Sequence, residues 1–203
     1  MEELKKYFEK YILESIVTIL LNQRIYKDFQ KNCISKEYKV DCFTKFVDVN
    51  YYKAMITDLC RLLERGKQAD DKNFRNFIEL FKKKESIIIE SRSKIPTISL
   101  DTGTIKEIDF SEDIQRLFDK VEHDKKISEL DGKFQIFREY RNKVNCHQTS
   151  TEKKPPTMED IDATISLLED LLLIYAKLFG ICLCTIIPKP IYRNPPLLDI
   201  PVD

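Results

Sequence analysis

The chain has 203 residues, of which 42% are hydrophobic and 33% charged, with 34 basic residues matched by 34 acidic ones. There is enough apolar mass for a core. A net charge of zero argues against a dedicated, sequence-tolerant nucleic-acid binder, which carries a net basic footprint. Only four glycines, set against many Leu, Ile, Lys and Glu, argue for helices over a turn-rich sheet protein.

The opening MEELKKYFEK is charged and does not read as a signal peptide. Residues 2 to 29 read as one long amphipathic helix, because Leu4, Phe8, Ile12, Ile16 and Ile19 return to one face. The stretch 30–48 is mixed and reads as a short helix or a loop. A second helix follows, with Met55, Ile56, Leu59, Cys60 and Leu63 on one face and Gly66 as its stop. A third carries Phe74, Phe77, Ile78 and Phe81, and Pro96 ends regular helix. The segment PTISLDTGTIKEIDF mixes turn and β-branched residues and reads as a loop or a small hairpin.

Helix resumes in SEDIQRLFDKVEHDKK, with Ser111 as the expected N-cap, and Asp131-Gly132 reads as the next turn. KFQIFREYRNKVNCH is then a separate helix. Pro155-Pro156 closes a loop, and Thr157 with Asp160 three residues on resembles a capping box. The last helix is strongly apolar and runs to Gly180 or slightly beyond; Glu169, Asp170 and Lys177 make it a buried helix rather than a membrane span. The pattern predicts an all-α bundle of about five to seven helices over residues 1–187. Residues 188–203 hold five of the eight prolines, so they form an extended tail. Ile191, Tyr192, Leu197, Leu198 and Ile200 make that tail too apolar to be loose, and it is expected to pack on the bundle or on a partner subunit.

Most motifs have a bland explanation. The six cysteines form no C-x-x-C pair and read as reduced thiols of a cytoplasmic protein, with Cys182 and Cys184 buried among apolar neighbours. Metal-ligand spacing is absent, so neither a metal nor a cofactor is expected. Asp101-Thr102-Gly103 matches the triplet of aspartic proteases, but it lies between helices, where Asp and Gly make an ordinary turn. Lys82-Lys83-Lys84 and Lys153-Lys154 are candidates for a basic groove, although short charge runs are ordinarily solvated. His123 lies in a charged helix end and reads as surface structure.

Arg141 and His147 are different. Arginine offers a fixed fork of donors to phosphate oxygens, and histidine exchanges a proton near neutral pH. Six residues of helix advance about 9 Å and leave the two side chains about 120° apart, so one straight helix does not bring them onto one phosphate. They converge if the helix ends near Asn145, or if a second subunit supplies another copy across a two-fold axis.

Arginine, a polar residue and then histidine near the end of a late helix resemble the signature of the HEPN superfamily. FREYRNKVNCHQT, leading through Pro155-Pro156 into MEDIDATISLLEDLLLIYAKLF, is similar to its abortive-infection (AbiU-type) branch, as is MITDLCRLLERGKQADDKNFRNFIELF. The resemblance covers residues 50–180. Cys146 stands where that branch has a small Ala, and Leu63-Glu64 replaces an aromatic-Asp pair at a helix end. The resemblance implies a helical bundle that often forms homodimers with two Arg/His motifs in one cleft. It also implies metal-independent RNA cleavage in active members, in a phage-defence or toxin–antitoxin setting with a nucleotidyltransferase-like antitoxin as partner. Arg141 would hold the scissile phosphate, His147 would act as general base or acid, and Asn142 would orient the site or contact RNA. The second reading is a non-catalytic HEPN-like module that binds RNA, a nucleotide or a protein partner.

Overall fold

A computed structural model describes residues 2–34, 42–64, 72–98, 105–109, 118–142 and 155–181; for 33–34, 92–98 and 105–109 only the backbone is described. Among these residues the protein is an all-helical bundle of five rods with one small hairpin at its side. The first rod comprises α1 (Glu2–Tyr7), a π-helical turn (Phe8–Leu13), α2 (Glu14–Phe29) and a second π-helical turn (Gln30–Ile34). Leu4, Phe8, Ile12, Ile16 and Ile19 are all buried. The first four recur every fourth residue, which on a pure α-helix drifts by about 40° per step. The wider π turn over Phe8–Leu13 takes up that drift and keeps the apolar stripe facing the core.

Helix α3 (Cys42–Leu63) starts within the stretch that reads as mixed, and it buries Met55, Ile56, Leu59, Cys60 and Leu63. Helix α4 (Phe74–Ser93) buries Phe74, Phe77, Ile78, Phe81 and Ile88. Strands β1 (Lys94–Ile98) and β2 (Ile105–Asp109) pair antiparallel from Lys94↔Asp109 to Ile98↔Ile105. Pro96 is tolerated because each strand of a two-stranded sheet has a free edge. Asp101-Thr102-Gly103, Ser111 and the tail 188–203 lie outside the described residues.

Helix α5 (Lys120–Tyr140) differs from expectation at both its start and its middle. Asp119 caps it, accepting from the Val121 and Glu122 N–H groups at 2.8 and 3.1 Å. Asp131-Gly132 makes no turn but lies inside the helix. Leu130, Phe134 and Phe137 are buried on either side of it, and that packing outweighs the ~1 kcal/mol that glycine costs a helix interior. Helix α6 (Met158–Phe179) begins with the expected capping box of Thr157 and Asp160. It ends on Gly180 in the left-handed conformation, φ 65°, with Ile181 N–H donating to the Ala176 carbonyl. No helix among the described residues is long and apolar enough to cross a membrane.

The centre of the bundle is aromatic. The Tyr175 ring lies 4.8–6.0 Å, centroid to centroid, from Phe8, Phe74, Phe77 and Phe81. His123 is a correction to the sequence reading: it lies in the first turn of α5, fully buried, with Nε2 2.7 Å from the Tyr175 hydroxyl. Burial pushes the imidazole below its ordinary range, with the Asp124 carboxylate opposing the shift. The native state therefore binds this proton less readily than the unfolded chain does. Stability from the neutral ring is complete above the unfolded pKa of about 6.5 and is lost as pH falls below it towards the lower folded value. Urea midpoints should thus fall between pH 7.5 and pH 5 in the wild type and fall less in His123→Gln. Parallel declines in the two proteins would remove His123 from the acid response.

Candidate functional site

Two residues at the end of α5 diverge over the flank of α3. The Tyr140 ring packs edge-on against Tyr52, centroids 6.1 Å apart, while Arg141 reaches the other way to the end of α3. Tyr52 in turn donates to the Pro156 carbonyl at 2.6 Å, just before the capping box. Burial, with Tyr140 and Asp160 adding to it, pushes the Tyr52 phenol up to about 12, so it stays a neutral donor. The α5 terminus is in this way tied to α3 and to the start of α6.

Arg141 makes a forked ion pair with Glu64, one residue past the end of α3. Nη1 and Nη2 lie 2.6 and 2.9 Å from the two carboxylate oxygens. The Asn142 side-chain oxygen accepts from Nε and Nη2 of the same guanidinium at 3.2 and 2.9 Å. Two partners thus fix the plane of the fork. The Arg141 side chain remains 23% exposed and that of Glu64 40%, so solvent still reaches the pair. Beneath it lies Cys60, whose thiol burial pushes up to about 11, with Arg141 opposing and Glu64 adding. At neutral pH that thiol is protonated and is not a nucleophile.

The structure brings Arg141 and Asn142 together; His147 lies outside the described residues. In the sequence Glu64 reads as a departure at a helix end, whereas its carboxylate accepts from both Nη atoms of Arg141. One signal was available. A carboxylate just past a helix C-terminus faces the negative end of the macrodipole and calls for a cation nearby. Nothing in the spacing says that the cation comes from 77 positions further along the chain.

Because the pair is partly exposed, its worth is modest. A double-mutant cycle with Glu64→Ala and Arg141→Ala should show a coupling of about 1 kcal/mol in chemical denaturation, shrinking as salt rises. Strictly additive losses would show that the pair does not brace α3 against α5.

No known protein family, curated protein or solved structure matches this chain, so the reading of the site rests on its own residues.

Proposed function

We propose that the protein is a metal-independent endoribonuclease of the HEPN kind, working through Arg141, Asn142 and His147. The observation that carries this reading is the guanidinium of Arg141, held in a fixed plane at a helix end and still open to solvent. The partly exposed pair is worth only about 1 kcal/mol, so a phosphodiester held by contacts elsewhere can take the fork over from Glu64. Arginine would then stabilise the charge that builds on the phosphoryl oxygens. His147 would take or return a proton as the ribose 2′-oxygen attacks the adjacent phosphorus. The P–O5′ bond breaks, leaving a 2′,3′-cyclic phosphate on one product and a 5′-hydroxyl on the other. This reading carries with it a phage-defence or toxin–antitoxin setting, with a nucleotidyltransferase-like antitoxin as partner.

The same ion pair favours a second reading. A guanidinium already neutralised by its own chain suits a non-catalytic module in which Arg141 only exchanges one anionic partner for another. Incubation of the pure protein with total RNA in EDTA separates the two. On the nuclease reading, Arg141→Ala and His147→Ala each lower cleavage by roughly 100-fold or more, with melting curves that still show a folded protein. Cleavage that survives both substitutions, or no cleavage of any RNA, would overturn it.

The nuclease reading also carries a homodimer with two Arg141 ends facing each other across a two-fold axis. An exposed apolar group formed by Ile25, Phe43, Phe46 and Val49 lies elsewhere, where α2 ends and α3 begins. Phe43 and Glu64 are separated by roughly 30 Å of helix, so a dimer built on that group would keep the two Arg141 ends apart. Light scattering at micromolar concentration, with Phe46→Glu and Arg141→Glu compared, reads this directly. The facing dimer should survive Phe46→Glu and dissociate in Arg141→Glu. A wild-type monomer, or the reverse pattern, would sink it.

A further inference from the structure

A polar cleft of about 470 Å³ runs between the first helical rod and α3, within the ~300–1,000 Å³ usual for a small-ligand site. Tyr11 and Ser15 line it from the rod and Arg61 from α3, while Lys72 closes it from the turn before α4. Lys10 Nζ lies 5.1 Å from the centre of the Tyr11 ring and Lys72 Nζ 5.8 Å from it; Lys72 Nζ is also 5.1 Å from the centre of Tyr7. Two ammonium groups are thus gathered at one aromatic ring. Among the described residues, Lys10, Lys72 and Arg61 form no ion pair within 4.0 Å. The contrast with the lysine run is sharp, since Lys82 and Lys84 are paired to Asp124 and Glu3. Cations that share a cleft without a close ion pair are incompletely neutralised, and an incoming anion gains from them.

Two acids share the cleft, Glu14 and Asp58. Asp58 faces Arg61, and burial pushes its carboxyl above the ordinary range with Arg61 opposing. On the far side of the Tyr7–Tyr11 pair, Lys6 adds a further cation, while Lys84 there is paired to Glu3. The two rings meet edge to face at 5.6 Å, and the Tyr7 hydroxyl is anchored on the backbone of Asn73, which makes the platform rigid. Cations beside half-exposed aromatic rings form the combination that tracks a single strand, with phosphates on the cations and bases against the rings. Arg61 is also one turn, about 4.5 Å along the axis, before Glu64, the partner of Arg141.

We propose that this cleft, with Lys10, Lys72 and Arg61 around Tyr11, holds the phosphodiester backbone of the single-stranded RNA whose neighbouring linkage lies at Arg141. The assignment rests on the ribonuclease reading for its ligand and adds to it where the strand runs. The test uses the full-length chain carrying Arg141→Ala, which on that reading slows cleavage roughly 100-fold or more, and a fluorescent twelve-nucleotide oligouridine followed by anisotropy. Adding Lys10→Ala and Lys72→Ala should weaken binding at least tenfold. The slope of log K against log salt should fall by about 0.7 for each phosphate that the protein no longer neutralises. Tyr11→Leu should weaken binding several-fold without that change in slope. Lys27→Ala with Lys125→Ala, remote from the cleft, should leave binding as it was, and thermal melts report folding of each protein. Equal affinity in the cleft variants, no binding of the oligonucleotide, or competition by inorganic phosphate at equal phosphate concentration would each overturn the proposal. Binding through the cleft without cleavage of any RNA by the wild type would leave the cleft standing and remove the nuclease. Cleavage by the chain with Arg141 intact that is insensitive to Lys10→Ala with Lys72→Ala would do the opposite.

Discussion

The hydrogen bond between His123 and Tyr175 is the constraint around which the bundle is arranged. Tyr175 comes from α6, and its ring is met by Phe8 of the first rod, by Phe74, Phe77 and Phe81 of α4, and by His123 of α5. A buried hydroxyl and a buried imidazole each cost free energy unless paired, so together they fix which turn of α5 lies against which turn of α6. From His123, α5 continues for about 26 Å to Tyr140, without the break that Asp131-Gly132 suggests. Position at one end of that rod therefore sets position at the other. Arg141 meets Glu64 because the aromatic centre holds the start of the same helix.

Charge follows a similar division between ends and faces. The zero net charge of the chain is not a uniform mixture. Most lysines for which a partner is described sit across from a carboxylate on a neighbouring helix or one turn away, as Lys126 does with Asp170 and Glu122 and Lys133 does with Asp160. These pairs stitch helices together along the surface, and Lys133 and the Thr157 backbone hold the Asp160 carboxyl down to about 2. The cations around Tyr11 are outside this pattern. Composition alone argues against a nucleic-acid binder, but it does not show that Lys10, Arg61 and Lys72 outnumber Glu14 and Asp58 in one cleft.

The apolar faces were legible in the sequence, since a buried stripe is periodic and periodicity is a property of the sequence alone. Leu4 to Ile19, Met55 to Leu63 and Phe74 to Phe81 all lie where their spacing puts them, and so does the capping box of Thr157 and Asp160. His123 could have been found the same way. His123, Ile127, Leu130, Phe134 and Phe137 recur at steps of four and three along α5, and all five are buried. Charged neighbours on the other faces of the helix hid the histidine's place in that series. The turn at Asp131-Gly132 was misread because local turn preference was weighed without the packing on either side. Of the candidate site, Arg141 and Asn142 were legible as residue types at a helix end. Glu64 was not, because a contact between two helix ends has no period.

The electrostatics of the Arg141 end bear on how that arginine can act. Arg141 and Asn142 continue from α5 as a π-helical turn, and Glu64 follows the C-terminus of α3, so the negative end of the α3 dipole lies at Arg141. It stabilises a guanidinium, and Glu64 adds a full negative charge. That setting suits an arginine as a brace but is a poor one for a lone phosphate, which meets the same carbonyl end and the same carboxylate. A phosphate gains there only if more positive charge arrives with it or is already nearby. A second Arg141 across a two-fold axis would supply one charge, and a strand anchored on Lys10, Lys72 and Arg61 would bring its next linkage to the site without relying on Arg141 for affinity. Affinity then resides in the cleft and Arg141 is left to act on one linkage. This is the division of labour expected when binding energy from remote contacts offsets an unfavourable ground state at the reacting centre.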